Sequence, residues 1–348
     1  MPESAARGLL LDRLRGRPEI WLALVILALG AALGAASPYF LTLSNLVDLV
    51  ESYSVTAILA MGLFVVLVAG GIDISFAATA SVAQYTTAYL AARAGFPLIA
   101  CVPIGLLVGL LLGCLNAALI HYLRITSIII TIATMSVYFA LLMHVTGGKS
   151  IYDLPDWWTT RVVLFQTETA GGDLVRITLP ILVMAMAVAV TWLFMNRSTA
   201  GRQLYAMGGN PEAARRVGVN IAAMHFLAYG YLGAMAGLAG LVQAHRVGES
   251  VPSAMVGGEL NVLAAAVLGG ASLTGGIGTV PGVLLGILLL GMLQNGLNLL
   301  GVSPYFFQIV IGAVILVSTS ITVLSSRPAR RRRRADVVAP AVGATARA

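Results

Sequence analysis

The chain has 348 residues, of which 59% are apolar and only 10% charged, with a mean hydropathy of +0.92. Those proportions exclude a water-soluble globule and describe a polytopic membrane protein. The net charge of +7 would suggest nucleic acid in a soluble chain, but here the arginines cluster at the ends and in loops. Orientation rules and anionic membrane lipid account for them, so nucleic acid is excluded as a partner.

In chain order, residues 1–19 form a basic leader with Arg7, Arg13, Arg15 and Arg17, followed by an apolar stretch from Ile20 to Ala36. The layout resembles a secretory signal. Its apolar length exceeds a usual signal core and many spans follow, so it reads as the first membrane helix. At about 20 residues per crossing, further apolar runs lie near 46–69, 75–92, 97–120, 125–146, 177–196 and 223–245. From Asn261 to Ser326 there is no Asp, Glu, Lys, Arg or His, and Gly and Pro divide that run near Thr279–Gly282 and Gly301–Pro304 into about three more crossings. The expectation is an all-α integral membrane protein with about ten transmembrane helices over residues 20–325, followed by an arginine-rich tail, 326–348, read as disordered.

Charge tests the count. Both ends are basic, which puts both termini in the cytoplasm and requires an even number of crossings. The loop 147–176 carries Asp153, Asp156, Glu168 and Asp173 against Lys149, Arg161 and Arg176, a net of −1, and ten crossings place it outside. Arg93 in an outer loop is a mild exception.

Between the sixth and seventh runs lies a polar island, 197–222. Arg197, Arg202, Arg215 and Arg216 against Glu212 leave a net of +3, which places it in the cytoplasm, where it can touch a soluble partner. A short helix is expected from Pro211, capped by Asn210, with Glu212 at the positive end of the helix dipole and Gly218 as its stop.

Glycines at helical spacing (Gly105, Gly109 and Gly113; Gly233 and Gly237; Gly282 and Gly286) mark faces where helices approach closely, with tight static packing as the expected role.

Apparent catalytic signatures fail on context. Gly148-Lys149-Ser150 looks like the end of a phosphate-binding loop, but Met143 stands where the first Gly belongs. This chain therefore carries no ATPase site of its own and no catalytic residue. His121, His144, His225 and His245 are scattered singly and read as interfacial, and Cys101 and Cys114 share one apolar span as small core residues, so no metal site is expected. Ionisable groups are nearly absent from the spans: Asp48 and Glu51 lie near an outer mouth, Asp73 and Glu259 near loop edges. Proton- or sodium-coupled carriers normally need such groups, so the driving energy is expected from another subunit. The spans instead hold Gln84, Asn116, Thr131, Thr134, Gln243, Asn261, Gln294, Asn295, Asn298 and Gln308, whose uncharged donors and acceptors suit a hydroxyl-rich neutral solute or join helices to one another.

Four segments carry a family resemblance: Gly70-Gly-Ile-Asp-Ile-Ser75, Gly208-Gly-Asn-Pro-Glu-Ala-Ala-Arg215 with Gly218, Ala264-Ala-Ala-Val-Leu-Gly-Gly-Ala-Ser-Leu-Thr-Gly-Gly276, and Asn295-Gly-Leu-Asn-Leu-Leu-Gly-Val302. Over about residues 40–325 the chain resembles the membrane permease subunits of bacterial ABC importers for ribose, xylose, related sugars and autoinducer-2.

The resemblance implies a type II-importer-like permease fold in the bacterial inner membrane. It makes the island a coupling loop on a cytoplasmic ATPase that holds ATP and Mg, through Gly208, Gly209, Asn210, Pro211, Glu212, Ala213, Ala214, Arg215 and Gly218. A periplasmic sugar-binding protein and a second permease subunit, identical or not, complete the assembly. The implied cargo is a pentose, related monosaccharide or polyol, with autoinducer-2 or a branched-chain amino acid as alternatives within the class. A secondary carrier or facilitative channel is the alternative outside it. The sequence Ser75-Phe76-Ala-Ala-Thr79 departs from the smaller residues often found there, which leaves the substrate open.

Candidates for the solute path are Gly71, Asp73, Ser75, Phe76, Asn116, Asn261, Gly275, Gly276, Asn295 and Asn298, drawn from the two Gly-rich breaks and the polar span residues. Candidates for docking the binding protein are Trp157, Trp158, Asp153 and Asp156, since exposed aromatics commonly anchor interfaces.

Overall fold

The computed structural model describes residues 18–168, 172–303, 305–310, 312, 313 and 316. The main unit reaches Val302 and is helical apart from one hairpin. Its helices are α1 (Pro18–Ala36), α2 (Leu43–Ser52), α3 (Ser54–Val68), α4 (Phe76–Ala94), α5 (Leu98–Leu123), α6 (Ser127–Thr146) and the single turn α7 (Asp156–Thr159). Strands β1 (Val163–Glu168) and β2 (Leu174–Thr178) follow. Then come α8 (Leu179–Arg197), α9 (Thr199–Gly209), α10 (Pro211–Arg216), α11 (Ile221–Val247), α12 (Glu259–Leu268) and α13 (Val280–Leu299). Beyond Val302, residues 305–310 are helical.

Among the described residues, six helices are long and apolar enough to cross a membrane: α1, α5, α6, α8, α11 and α13. A seventh is gained if α2 and α3, bent by 48° at Tyr53, make one span. The first seven predicted runs thus each coincide with a helix or, for 46–69, with this bent pair. The 19-residue α4 matches the 75–92 run but is alanine- and threonine-rich, and it lies buried among its neighbours. The uncharged run after Asn261 begins differently from the expectation. At ~1.5 Å per residue the ten-residue α12 covers only about half of a ~30 Å hydrocarbon layer before the chain breaks at Gly269–Thr279 and re-enters as α13. The third crossing expected in that run, the leader before Pro18 and the tail 326–348 lie wholly or largely outside the described residues.

Burial orders the bundle. Helix α3 is apolar on every side, with residues from Ala57 to Val68 almost without exposure, which is the pattern of a central helix. Around it pack α11, α8, α12 and α13, and α4 lies between α11 and α5. Backbones meet along the α5–α11 seam. A Cβ at Gly109 would overlap the Gly233 carbonyl, one at Gly113 that of Tyr229, and one at Gly237 that of Gly105. Likewise a Cβ at Gly282 or Gly286 would strike the backbone of Gly269 or Ala265 in α12 and its end. Small residues at four-residue spacing let these backbones touch, as expected for membrane helices that have no hydrophobic effect to draw them together. Helix α1 packs Ile26 and Leu33 against Leu289 and Met292 of α13.

The β-hairpin corrects the expectation of a purely helical chain with an irregular loop over 147–176. Strands β1 and β2 pair antiparallel from Val163↔Thr178 to Glu168↔Leu174, with an irregularity near Val163. The alternation of Val, Phe and Thr with Gln and Arg, and Gly172-Asp173 before β2, form a hairpin signal that hydropathy alone passes over.

Candidate coupling and translocation site

The island folds as two helices. Ser198 caps α9 by accepting from the Gly201 amide at 2.8 Å, and Asn210 caps α10 by accepting from the Ala213 amide at 3.0 Å. Pro211 sits at the start of α10, and Gly218 follows its end at φ +88°, so cap, first turn and stop all fall where the sequence put them. Of the nine coupling residues, Gly208 and Ala214 are buried; Gly209, Asn210, Pro211, Glu212, Ala213, Arg215 and Gly218 are exposed.

Less expected is what α9 rests on. The end of α3 and the break after α12 meet there, because the Gly276 amide donates to the Val68 carbonyl at 2.9 Å. Helix α9 closes over both. A Cβ at Gly208 would overlap the Val68 carbonyl and lie 2.6 Å from the Gly276 nitrogen, whereas one at Gly275 would come within 2.6 Å of the Gly70 Cα. Gly70, Gly275 and Gly276 also adopt positive φ, at 87°, 89° and 73°. Tyr205, one turn earlier in α9, donates its hydroxyl to the Gly278 carbonyl at 2.8 Å, and burial pushes that hydroxyl's pKa up. Both Gly-rich breaks and the island therefore form one backbone-to-backbone junction. Sequence proximity could not show this, since the three pieces lie some 70 to 200 positions apart.

Behind the junction the break 69–75 is fastened to α5 and α6. The Ile72 amide donates to the Ser127 hydroxyl at 3.0 Å and the Ile74 amide to the Thr131 hydroxyl at 3.4 Å. The Asp73 carboxylate accepts from the amide and hydroxyl of Ser75, both at 2.7 Å, and from Asn116 Nδ2 at 3.3 Å. Asn116 also donates to Ser75 Oγ at 2.7 Å and accepts from the Tyr138 hydroxyl at 3.2 Å. Asp73, Ser75, Phe76 and Asn116 are all at most 2% exposed. Gly71 abuts the Tyr229 hydroxyl.

The ten path candidates therefore fall in separate places. Gly71, Asp73, Ser75, Phe76 and Asn116 form the fastened break, and Gly275 and Gly276 the junction. Asn295 lies apart, in a reciprocal amide pair with Asn45, both bonds at 3.0 Å. Asn261 and Asn298 are exposed on α12 and α13. In α4, facing α11, the Ser81 hydroxyl and Gln84 Oε1 are buried with no hydrogen-bond partner among the described residues. His121 and His225, expected to stand singly, meet edge to face at 5.8 Å.

At the far end of α3 and α11 the loop 147–176 folds back on the bundle. Trp158 is 4% exposed, donates from its ring nitrogen to the Leu241 carbonyl at 3.4 Å, and packs with Ala88, Cys101 and Ala244. Its burial removes it as an exposed docking aromatic. Trp157 stacks on it half-buried, Asp156 is exposed, and Asp153 pairs with Arg93 at 2.8 Å, which gives the outlying arginine its partner. The hairpin, which charge and hydropathy do not reveal, exposes Leu164, Phe165, Leu174 and Ile177.

Residues 45–319 match the family BPD_transp_2, described as a branched-chain amino acid transport system / permease component. The chain belongs to this permease family. Similar proteins include the ribose import permease protein RbsC of Escherichia coli strain K12, 34% identical over 300 residues, which cover 86% of this chain and 91% of that protein. The D-allose transport system permease protein AlsC of the same organism is 31% identical over 298 residues, covering 85% and 89% of the two chains. The galactose/methyl galactoside import permease protein MglC of Salmonella typhimurium strain LT2 is 32% identical over 311 residues, covering 85% and 91%. No solved structure matches the permease. Its four recognised segments fall largely on the elements just described: the fastened break, the island, α12 with its break, and the end of α13.

Proposed function

We propose that this permease is the membrane subunit of an ATP-driven ABC importer that carries a neutral sugar across the bacterial inner membrane by alternating access. A pentose or closely related monosaccharide or polyol is the favoured cargo. The observation that carries the reading is similarity, across 85–86% of the chain, to permeases named for ribose, allose and galactose import. The island's geometry supports a coupling role. Its exposed residues Gly209, Glu212 and Arg215 are free to enter a groove on a cytoplasmic ATPase bearing ATP and Mg, while buried Gly208 passes motion to both breaks at once.

In this reading the chain crosses the membrane ten times with both termini inside. The six long apolar helices and the bent pair α2–α3 make seven crossings, and three more come from the buried α4, from the broken segment containing α12, and from the stretch after Pro304. The basic island then faces the cytoplasm, and the acidic segment with its hairpin faces the periplasm. Half-buried Trp157, exposed Asp156 and the apolar hairpin residues offer a surface to a periplasmic sugar-binding protein, and a second permease subunit completes the pathway. The fastened break and the unpartnered acceptors of Ser81 and Gln84 are where a solute hydroxyl can bind once the helices part, since a buried acceptor left open in one state favours a donor in another.

A branched-chain amino acid is the second reading, favoured by the description of the matched family. Uptake by vesicles holding the permease, ATPase and binding protein separates the two. Labelled ribose, allose, galactose and xylose are offered against leucine, with and without ATP. Sugar uptake that requires ATP is expected. Uptake that persists without ATP and follows a pH gradient would reject the ABC assignment, and leucine uptake alone would reassign the cargo.

A further inference from the structure

The geometry points to a receiving site for a neutral polyhydroxylated solute in a pocket at the end of the unit remote from the island. The pocket lies where the end of α2, the stalk of the hairpin and the last turn of α11 meet, and it is lined by Asp48, Ser52, Thr159, Arg161, His245 and Arg246 around Glu51. Its volume is about 380 Å³, near the lower end of the ~300–1,000 Å³ range of small-ligand pockets.

The chemistry of the lining is specific. Arg161 pairs with Glu51 at 2.8 Å, and Arg246 donates to the Glu51 and Ser52 carbonyls, so the two guanidiniums are held in place with N–H groups to spare. His245 Nδ1 lies 2.6 Å from the Trp158 carbonyl. A carbonyl only accepts, so Nδ1 carries a proton, and in the neutral ring Nε2 is an acceptor. Asp48 is exposed beside them and adds carboxylate acceptors, and the Ser52 and Thr159 hydroxyls act either way. Donors and acceptors are thus interleaved at short range, which complements sugar hydroxyls, each of which both donates and accepts.

Charge and shape narrow the ligand further. Asp48 and Glu51 balance Arg161 and Arg246, so the pocket offers no net attraction to an anion or a cation. Pro180 and Val247 are its main aliphatic surface, too little to house a branched-chain side chain.

This inference rests on the sugar-import reading, and its test keeps the two apart. Equilibrium binding of labelled ribose, allose, galactose and xylose to the full-length permease in lipid nanodiscs is measured beside ATP-driven uptake by the complete importer. One of these sugars is expected to bind saturably without competition from leucine. Asp48→Leu and Ser52→Phe, both at exposed positions, are expected to weaken that binding at least about tenfold, since each removes or blocks a hydroxyl partner, with melting temperature unchanged. Sugar uptake by a permease that binds no sugar by itself, or wild-type binding in both variants, would overturn the site and leave the import function standing. Uptake of leucine and of no sugar would overturn both.

Discussion

Gly208 and Gly209 are neighbours with opposite demands. At Gly208 an added Cβ meets the Val68 carbonyl and the Gly276 nitrogen, backbone atoms that cannot turn aside, whereas at Gly209 nothing lies within 4 Å. Gly208→Ala is therefore expected to lower stability by about 1–3 kcal/mol, the usual penalty for overpacking, and to cut uptake, both readable by thermal melting and a transport assay. Gly209→Trp is expected to melt as wild type, since nothing lies within 4 Å of its Cβ, yet to hydrolyse ATP without uptake if the proposed ATPase contact is there. Glu212→Arg should behave the same way, by charge. Normal coupled uptake in both would remove the island from the mechanism. Asp73 makes a different kind of prediction. Truncating it to Ala strands the Ser75 amide and Asn116 in a buried place, at about 1–3 kcal/mol for each unsatisfied group. Asp73→Asn, which keeps the shape and one acceptor, should melt higher than Asp73→Ala, and equal melting of the two would deny the network a structural role.

Helices were legible in the sequence where one physical signal dominated. Apolar runs of membrane length gave α1, α5, α6, α8 and α11 to within three residues at each end, because hydrocarbon admits little else. The α10 cap was legible because Asn, Pro, Glu and Gly each fill a local backbone role that needs no tertiary partner. The short α12 was hidden because nothing in an uncharged run distinguishes a half-crossing from a full one. The hairpin was hidden because its short alternation is a weaker signal than the charge of the loop that holds it, and the burial of Trp158 because loop and core tryptophans look alike until a fold supplies the core. The glycine seam of α5 and α11 was half legible, in that the faces could be seen but not their pairing. Gly109→Val should separate those helices and lower the melting temperature more than Leu111→Val on the exposed face of the same helix; equal effects would mean the seam is not where the helices are held.

For the whole molecule, α3 and α11 give the account its mechanical shape. Both run from the island end toward the pocket end, so a displacement at Gly208 and Val68 can reach Arg246 through α11 and, across the bend at Tyr53, Glu51 through α3. In the proposed ten-crossing topology the pocket end faces the periplasm and the island the cytoplasm. Single cysteines at Gly209 and at exposed Tyr152 should label from opposite sides with a membrane-impermeant thiol reagent, and labelling from one side would refute the ten-crossing topology. The candidate site was legible only in its parts: the sequence marked both breaks and the island, and their meeting at one junction is a tertiary fact. The central claim is that this chain supplies a passage and takes its energy through the island from a partner. The most direct measurement is sugar accumulation in liposomes holding the chain alone, compared with liposomes holding it together with its ATPase and binding protein. The account predicts uphill accumulation only in the second case and only with ATP, and uphill accumulation by the chain alone would contradict it.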